Sequence, residues 1–226
     1  MNIKSSKNIA CLAIASALAL TGCGDKKQDV NDETMAAAVD KYLAKTGDLC
    51  LMLPKWPVEV GEHDMNIEAT MPAGIAHQMT VLASLGLVIK SDSEVDQMLG
   101  KQPTGRKFRI RSYSLTDEGK KFFRDEVPQH AALSGSSPKV KGDLCYGKKS
   151  VAKVIRWDAL PESGGNEFNV RYFYKVDGLA EWAKTPDFQK AFPSAEKIIT
   201  AAHKSEQTHG VKVTAMGIVP RGLRAI

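Results

Sequence analysis

The sequence contains no Gly-rich phosphate loop and no dinucleotide-binding fingerprint, which removes the common nucleotide-dependent activities. Its five histidines, His63, His77, His130, His203 and His209, never fall four apart, so no pair on one helix turn is offered to a hydrolytic zinc ion. No Cys-x-x-Cys pair is present, which removes the usual thiol redox motif. The longest apolar run, Ile9 to Leu20, is too short for the roughly 20 residues that a membrane-crossing helix needs. The serines of Ser134-Gly135-Ser136-Ser137 have no strand-turn-helix frame of the kind that presents a hydrolase nucleophile. No catalytic residue, metal site or cofactor is expected from these patterns.

What is present begins with an address. Lys4 and Lys7 precede the apolar run, and Leu20-Thr21-Gly22-Cys23 follows it. This arrangement resembles a bacterial lipoprotein signal with its lipobox. The resemblance implies removal of residues 1–22, a diacylglycerol on the Cys23 thiol and attachment to the cell envelope. Gly24 rather than an aspartate follows the cysteine, which under the enterobacterial sorting rule implies the outer membrane, facing the periplasm. Residues 23–32 are polar and read as a tether. A membrane partner is thus expected, and nucleic acid is not.

Loss of Lys4 and Lys7 lowers the formal charge from +5 to +3, a mild balance. Of four cysteines, Cys11 leaves with the signal and Cys23 is acylated, so Cys50 and Cys145 remain. In an oxidising periplasm they are expected to pair, although two separate buried thiols are the alternative. Each stands in nearly the same phrase, Gly47-Asp48-Leu49-Cys50 and Gly142-Asp143-Leu144-Cys145. The two phrases read as equivalent short strands or turns, each opening a folded unit. Asp48 and Asp143 read as turn-bracing groups more readily than as a catalytic carboxylate pair.

Hydrophobic periodicity predicts an α+β chain of two units, a first over 33–130 and a second over 142–226, with the Ser/Gly/Pro segment 131–141 as linker. In the first unit, Met35, Val39 and Leu43 predict a helix over Glu33–Lys45, and Ile75, Met79, Leu82 and Leu85 a second one. Leu87 to Ile89 reads as a short strand followed by a polar stretch through Gly100, Pro103 and Gly105. Lys107 to Leu115 reads as a strand with a bulge near Ser112, where the apolar parity changes, and Thr116 as a helix cap.

From Met71 to Phe123 this order resembles the winged helix of bacterial regulators, in which the middle helix and the wing touch DNA. An exported chain meets no DNA, so a different use is implied.

In the second unit the clearest element is a strand with Phe168, Val170, Tyr172, Tyr174 and Val176 on one face. Thr185 and Ser194 read as helix caps, and a last strand is expected after Gly210. Together these predict a small antiparallel sheet packed with helices. Phe173 and Trp182 join that strand's tyrosines in an aromatic group that reads as core more readily than as a binding platform.

One surface feature invites a ligand. Arg106, Lys107, Arg109 and Arg111 lie close together, the last three on one face of a strand, and suit an anionic glycolipid or lipid head group. The alternative is that they guard an exposed strand against edge pairing.

The whole pattern resembles uncharacterised proteobacterial envelope lipoproteins more than any family of assigned activity. It favours a non-catalytic module that binds an envelope protein or glycolipid. An enzyme acting on peptidoglycan or lipid, with a site between the two units, is the alternative.

Overall fold

The structure, a computed structural model, describes residues 29–126 and 141–222. The signal, Cys23 and most of the 131–141 linker lie outside the described residues, as do His130 and the serine cluster. In chain order the elements are α1 (Asp32–Thr46), β1 (Asp48–Cys50), β2 (Val58–Gly61), α2 (Glu62–Asn66), α3 (Ile75–Ser84), β3 (Val88–Leu99), β4 (Gln102–Leu115), α4 (Asp117–Phe122) and β5 (Phe123–Glu126). They continue with β6 (Lys141–Ala159), β7 (Glu167–Asp177), α5 (Pro186–Ala191), α6 (Pro193–Thr200), β8 (Glu206–Thr214) and β9 (Gly217–Pro220). The architecture is mixed helix and antiparallel sheet: a six-stranded sheet in the order β1-β6-β7-β8-β9 with β5 also on β6, and a three-stranded sheet β2-β4-β3.

The two repeated phrases meet each other. Strand β1 runs antiparallel to β6 with Cys50 opposite Cys145, and the two sulfurs are bonded. The bridge joins positions 95 residues apart. On the chain-entropy account it removes roughly 4 to 5 kcal/mol of freedom from the unfolded state. Strand β5 pairs with the first residues of β6, so the Gly142–Cys145 phrase is flanked on both sides. Gly142 adopts φ +74, and its missing side chain leaves room for the Phe123 ring, which any Cβ at that position would strike.

Helix α1 starts with a reciprocal cap: the Asn31 side chain accepts from Thr34 N at 2.9 Å, and Asn31 N donates to Thr34 Oγ1 at 3.1 Å. Its apolar face, Met35, Ala38, Val39 and Leu43, packs on the alternating residues Phe168, Val170, Tyr172 and Tyr174 of β7. Asp40 fastens it further by accepting from Val151 N at 2.8 Å, where β6 breaks its register with β7. The Trp157 indole donates to Asp32 at 3.0 Å, and Lys148 donates to the Ala44 carbonyl at 2.7 Å.

A second hydrophobic cluster gathers α3, β2, the base of β3 and β4, and the start of β6 around Trp182, Phe188 and Phe192. Each cluster draws residues from both sides of the 131–141 segment.

Several sequence expectations need correction. The short strand read over Leu87–Ile89 continues to Leu99, and the polar stretch after it forms the distal halves of β3 and β4, a hairpin turning at Gly100 and Lys101. No bulge occurs near Ser112, because the β3–β4 register runs unbroken from Val88↔Leu115 to Asp96↔Lys107 and slips only between Asp96 and Met98. Arg109, Arg111, Tyr113 and Leu115 therefore share one face, and the parity change marks the point where that face passes from solvent into the core. Ser194 caps nothing; α6 begins at Pro193 with Phe192 before it. Gly210 lies inside β8, where a side chain would meet Arg221, and β9 follows as a strand not read from the sequence.

A winged-helix unit is not shown over Met71–Phe123, the region likened to one: it holds α3, the β3–β4 hairpin and α4, with β2 and α2 preceding it. Helix α1 lies on the larger sheet, against β6 and β9.

Replacing both Cys50 and Cys145 by serine is expected to lower unfolding free energy by about 4 kcal/mol. Guanidinium unfolding with and without reductant checks it. Indistinguishable midpoints for the oxidised wild type and the double variant would contradict this role for the bridge.

Candidate functional site

The most unusual surface of the molecule is the β3–β4 hairpin. Beyond the core at Val88 and Tyr113 and the half-buried residues 110–112, both of its faces are open to solvent among the described residues. Sheets rarely project so far without a function, since an isolated two-stranded hairpin is marginal in water.

Cross-strand charge pairs hold one face of it. The register sets Asp92 opposite Arg111, Glu94 opposite Arg109 and Asp96 opposite Lys107. Arg111 grips Asp92 through two nitrogens at 2.6 and 3.2 Å. That charge-assisted pair holds the Asp92 carboxyl below the ordinary carboxylate range. Arg109 turns instead to Glu62 on α2 at 3.0 Å, and Lys107 lies 3.7 Å from Glu94. Exposed pairs of this kind contribute little singly, roughly 0.2 to 1 kcal/mol each. In a row they fix the register that the polar sequence otherwise leaves free.

The positions Arg106, Lys107, Arg109 and Arg111 are thus brought together on β4, with the last three on a common face. An acid on β3 or α2 lies within 4 Å of each of those three. The hairpin carries an acidic row on β3 beside a basic row on β4, rather than a bare cationic patch.

The opposite face is apolar at its centre. Val95 stands across from Phe108, 40% and 44% exposed, with Ile110 beside them. With Gly61, His63 and Asn66 these three line a shallow groove between the hairpin and α2. At the hairpin's end Met98 and Leu99 are exposed, Leu99 by 79%. Apolar residues this exposed on a projecting element mark contact surfaces more often than packing.

No family model, curated protein or solved structure matches the chain.

The other residues singled out from sequence have structural positions. Tyr172 and Tyr174 are buried under α1, and Trp182 under α5, as core residues. His209 stacks on Tyr42 with ring centroids 3.9 Å apart. Among the described residues, no group of three histidine, cysteine or acidic side chains is placed to hold a metal ion.

Asp48 and Asp143, alike in sequence, differ in environment. Asp48 is partly exposed, 3.7 Å from Lys148. Asp143 is 1% exposed, and its oxygens accept from three backbone N–H groups: Met52 at 2.5 Å, Leu53 at 3.3 Å and Leu144 at 2.8 Å. This clamp holds the turn after Cys50, where Met52 adopts φ 61.

Burial pushes the Asp143 carboxyl up to about 6, against the pull of those N–H groups. The Trp56 indole N–H pulls the same way at longer range, since it lies near the carboxylate without meeting hydrogen-bond geometry.

A carboxyl raised above its unfolded value favours the folded state most when protonated. Its contribution is complete below about pH 4 and is lost as pH rises through about 6, an amount of up to about 3 kcal/mol. Asp143→Asn is expected to be less stable overall, because its amide N–H₂ faces an N–H donor, and to lack that decline. Urea midpoints of both proteins between pH 3.5 and 7.5 check it; parallel curves would contradict the assignment.

Proposed function

We propose that this chain is a lipid-anchored envelope protein, attached through Cys23 and facing the periplasm from the outer membrane. It works by docking another envelope component on the β3–β4 hairpin. The address rests on the Leu20-Thr21-Gly22-Cys23 motif with its charged and apolar lead. The mode of action rests on one observation: a long hairpin that leaves the core with Val95 and Phe108 open to solvent on one face, beside a half-buried Ile110. In this reading Val58–Leu115 is a winged-helix-like unit whose wing has been turned from phosphate contact to protein contact.

The neutralised basic row is the reason to prefer a protein over an anionic glycolipid. Lys107, Arg109 and Arg111 already face carboxylates, so an anionic head group gains less from them than from free cations.

A photo-cross-linking side chain at Phe108 is expected to capture one reproducible partner in intact cells, and the same group at Met216, on the β8–β9 turn, is not. Cys23→Ser should abolish capture by removing the protein from the membrane. Capture from Met216 alone, or capture independent of Cys23, would contradict the proposal.

A further inference from the structure

We propose that the partner adds a strand to the free edge of β3, as an extended segment with lysine or arginine at alternate positions and apolar residues between them. The inference rests on the docking reading above and gives the partner's chemistry.

The two edges of the hairpin differ. On β4, residues 110–113 are covered by β2, and the distal part carries Pro103 and Gly105, which spoil a strand's outer edge. Strand β3 has β4 on one side only and contains no proline over its 12 residues, roughly 40 Å of backbone. Natural edges are protected by prolines, lysines or covering elements. Here Lys90 stands at the base, and a register slip near Met98 closes the far end. Between them Ser91–Asp96 is left straight and open among the described residues, the geometry on which strand addition operates.

The side chains along that edge specify a partner. Asp92, Glu94 and Asp96 project on one face with period two; Arg111 and Lys107 face the first two from β4, but the side chains of Asp92 and Glu94 remain 64% and 58% exposed, which leaves them open toward the free edge. No ion pair joins Asp96 among the described residues. A strand laid against this edge places its own alternate residues beside them, and cations there continue the acid-base alternation already present between β3 and β4. On the other face its intervening residues meet Ser91, Ser93 and Val95 and extend the apolar surface of Phe108 and Ile110.

A second copy of the chain fits poorly. Two-fold antiparallel pairings of β3 with itself centred anywhere from Asp92 to Asp96, the open part of the edge, set at least one acid against an acid, which is unfavourable for directly opposed strands. An acidic segment is unfavourable for the same reason.

The test uses the full chain in detergent and a short fluorescent peptide of alternating lysine and valine, followed by anisotropy. Its controls are a glutamate-for-lysine peptide, a scrambled peptide, and two peptides N-methylated on one or the other set of alternate residues. The basic alternating peptide is expected to bind, with the acidic and scrambled peptides roughly tenfold weaker or worse. One N-methylated set should bind unchanged and the other not at all, because an added strand turns only every second N–H toward its neighbour.

Equal binding of the scrambled peptide, tolerance of both N-methylated sets, or no binding overturns strand addition. Loss of peptide binding as the protein self-associates at higher concentration overturns it in favour of a second copy. Cross-linking from Phe108 that persists while no peptide binds leaves the docking arm standing without this mode; absence of both removes the two together.

Discussion

Strand β6 enters the fold through Gly142–Cys145, and the positions of its neighbours follow from what that segment touches. Cys145 is bonded to Cys50, Leu144 accepts from Leu51 N at 3.0 Å, and Asp143 gathers the N–H groups of Met52 and Leu53. Asp143 and Leu144 also pair with β5, opposite Arg124 and Phe123. A short strand of three residues, β1, is thereby locked to a strand of 19, and the chain is directed from the sheet under α1 toward the cluster around Trp182 and Phe188. Without this clasp, β1 has too few ladder bonds to hold its place, and β2 and the hairpin after it lose their attachment to the larger sheet.

The hairpin obeys a different constraint. It gains little from burial beyond Val88 and Tyr113, and is kept in register by paired charges rather than by a core. Because exposed ion pairs are screened and individually weak, the arm is the part of the described chain whose structure depends most on salt. A disulfide-bonded clasp at β6 and a loosely stabilised arm at β3–β4 divide the molecule into a support and a projecting element.

Much of the support was legible in the sequence. Helix α1, strand β7 and helix α3 announce themselves by period because each buries one face, and the pairing of Cys50 with Cys145 follows from there being no other cysteine to pair with once the signal and anchor are set aside. The arm was not legible for the same physical reason in reverse. Ser91 to Gly100 buries neither face and so carries no amphipathic pattern, and its strand character exists only through the residues opposite it on β4. Reading Ser112 as a bulge had the same origin: a strand that leaves the core changes which parity is apolar without any break in its backbone. The basic residues Lys107, Arg109 and Arg111 were found by their clustering, but their acidic partners were not, because Asp92 and Glu62 are distant in sequence.

The proposal on which the account turns is that a partner occupies the β3 edge when the protein is held at the envelope. Hydrogen–deuterium exchange of the full-length protein expressed in cells and recovered in envelope fragments, compared with the detergent-purified protein, addresses it directly. The account predicts added protection in alternate amides between Ser91 and Asp96 with no change across β7, whose amides are already paired on both sides. Unchanged exchange in β3 together with new protection elsewhere, for example at the β8–β9 turn around Met216, would contradict it.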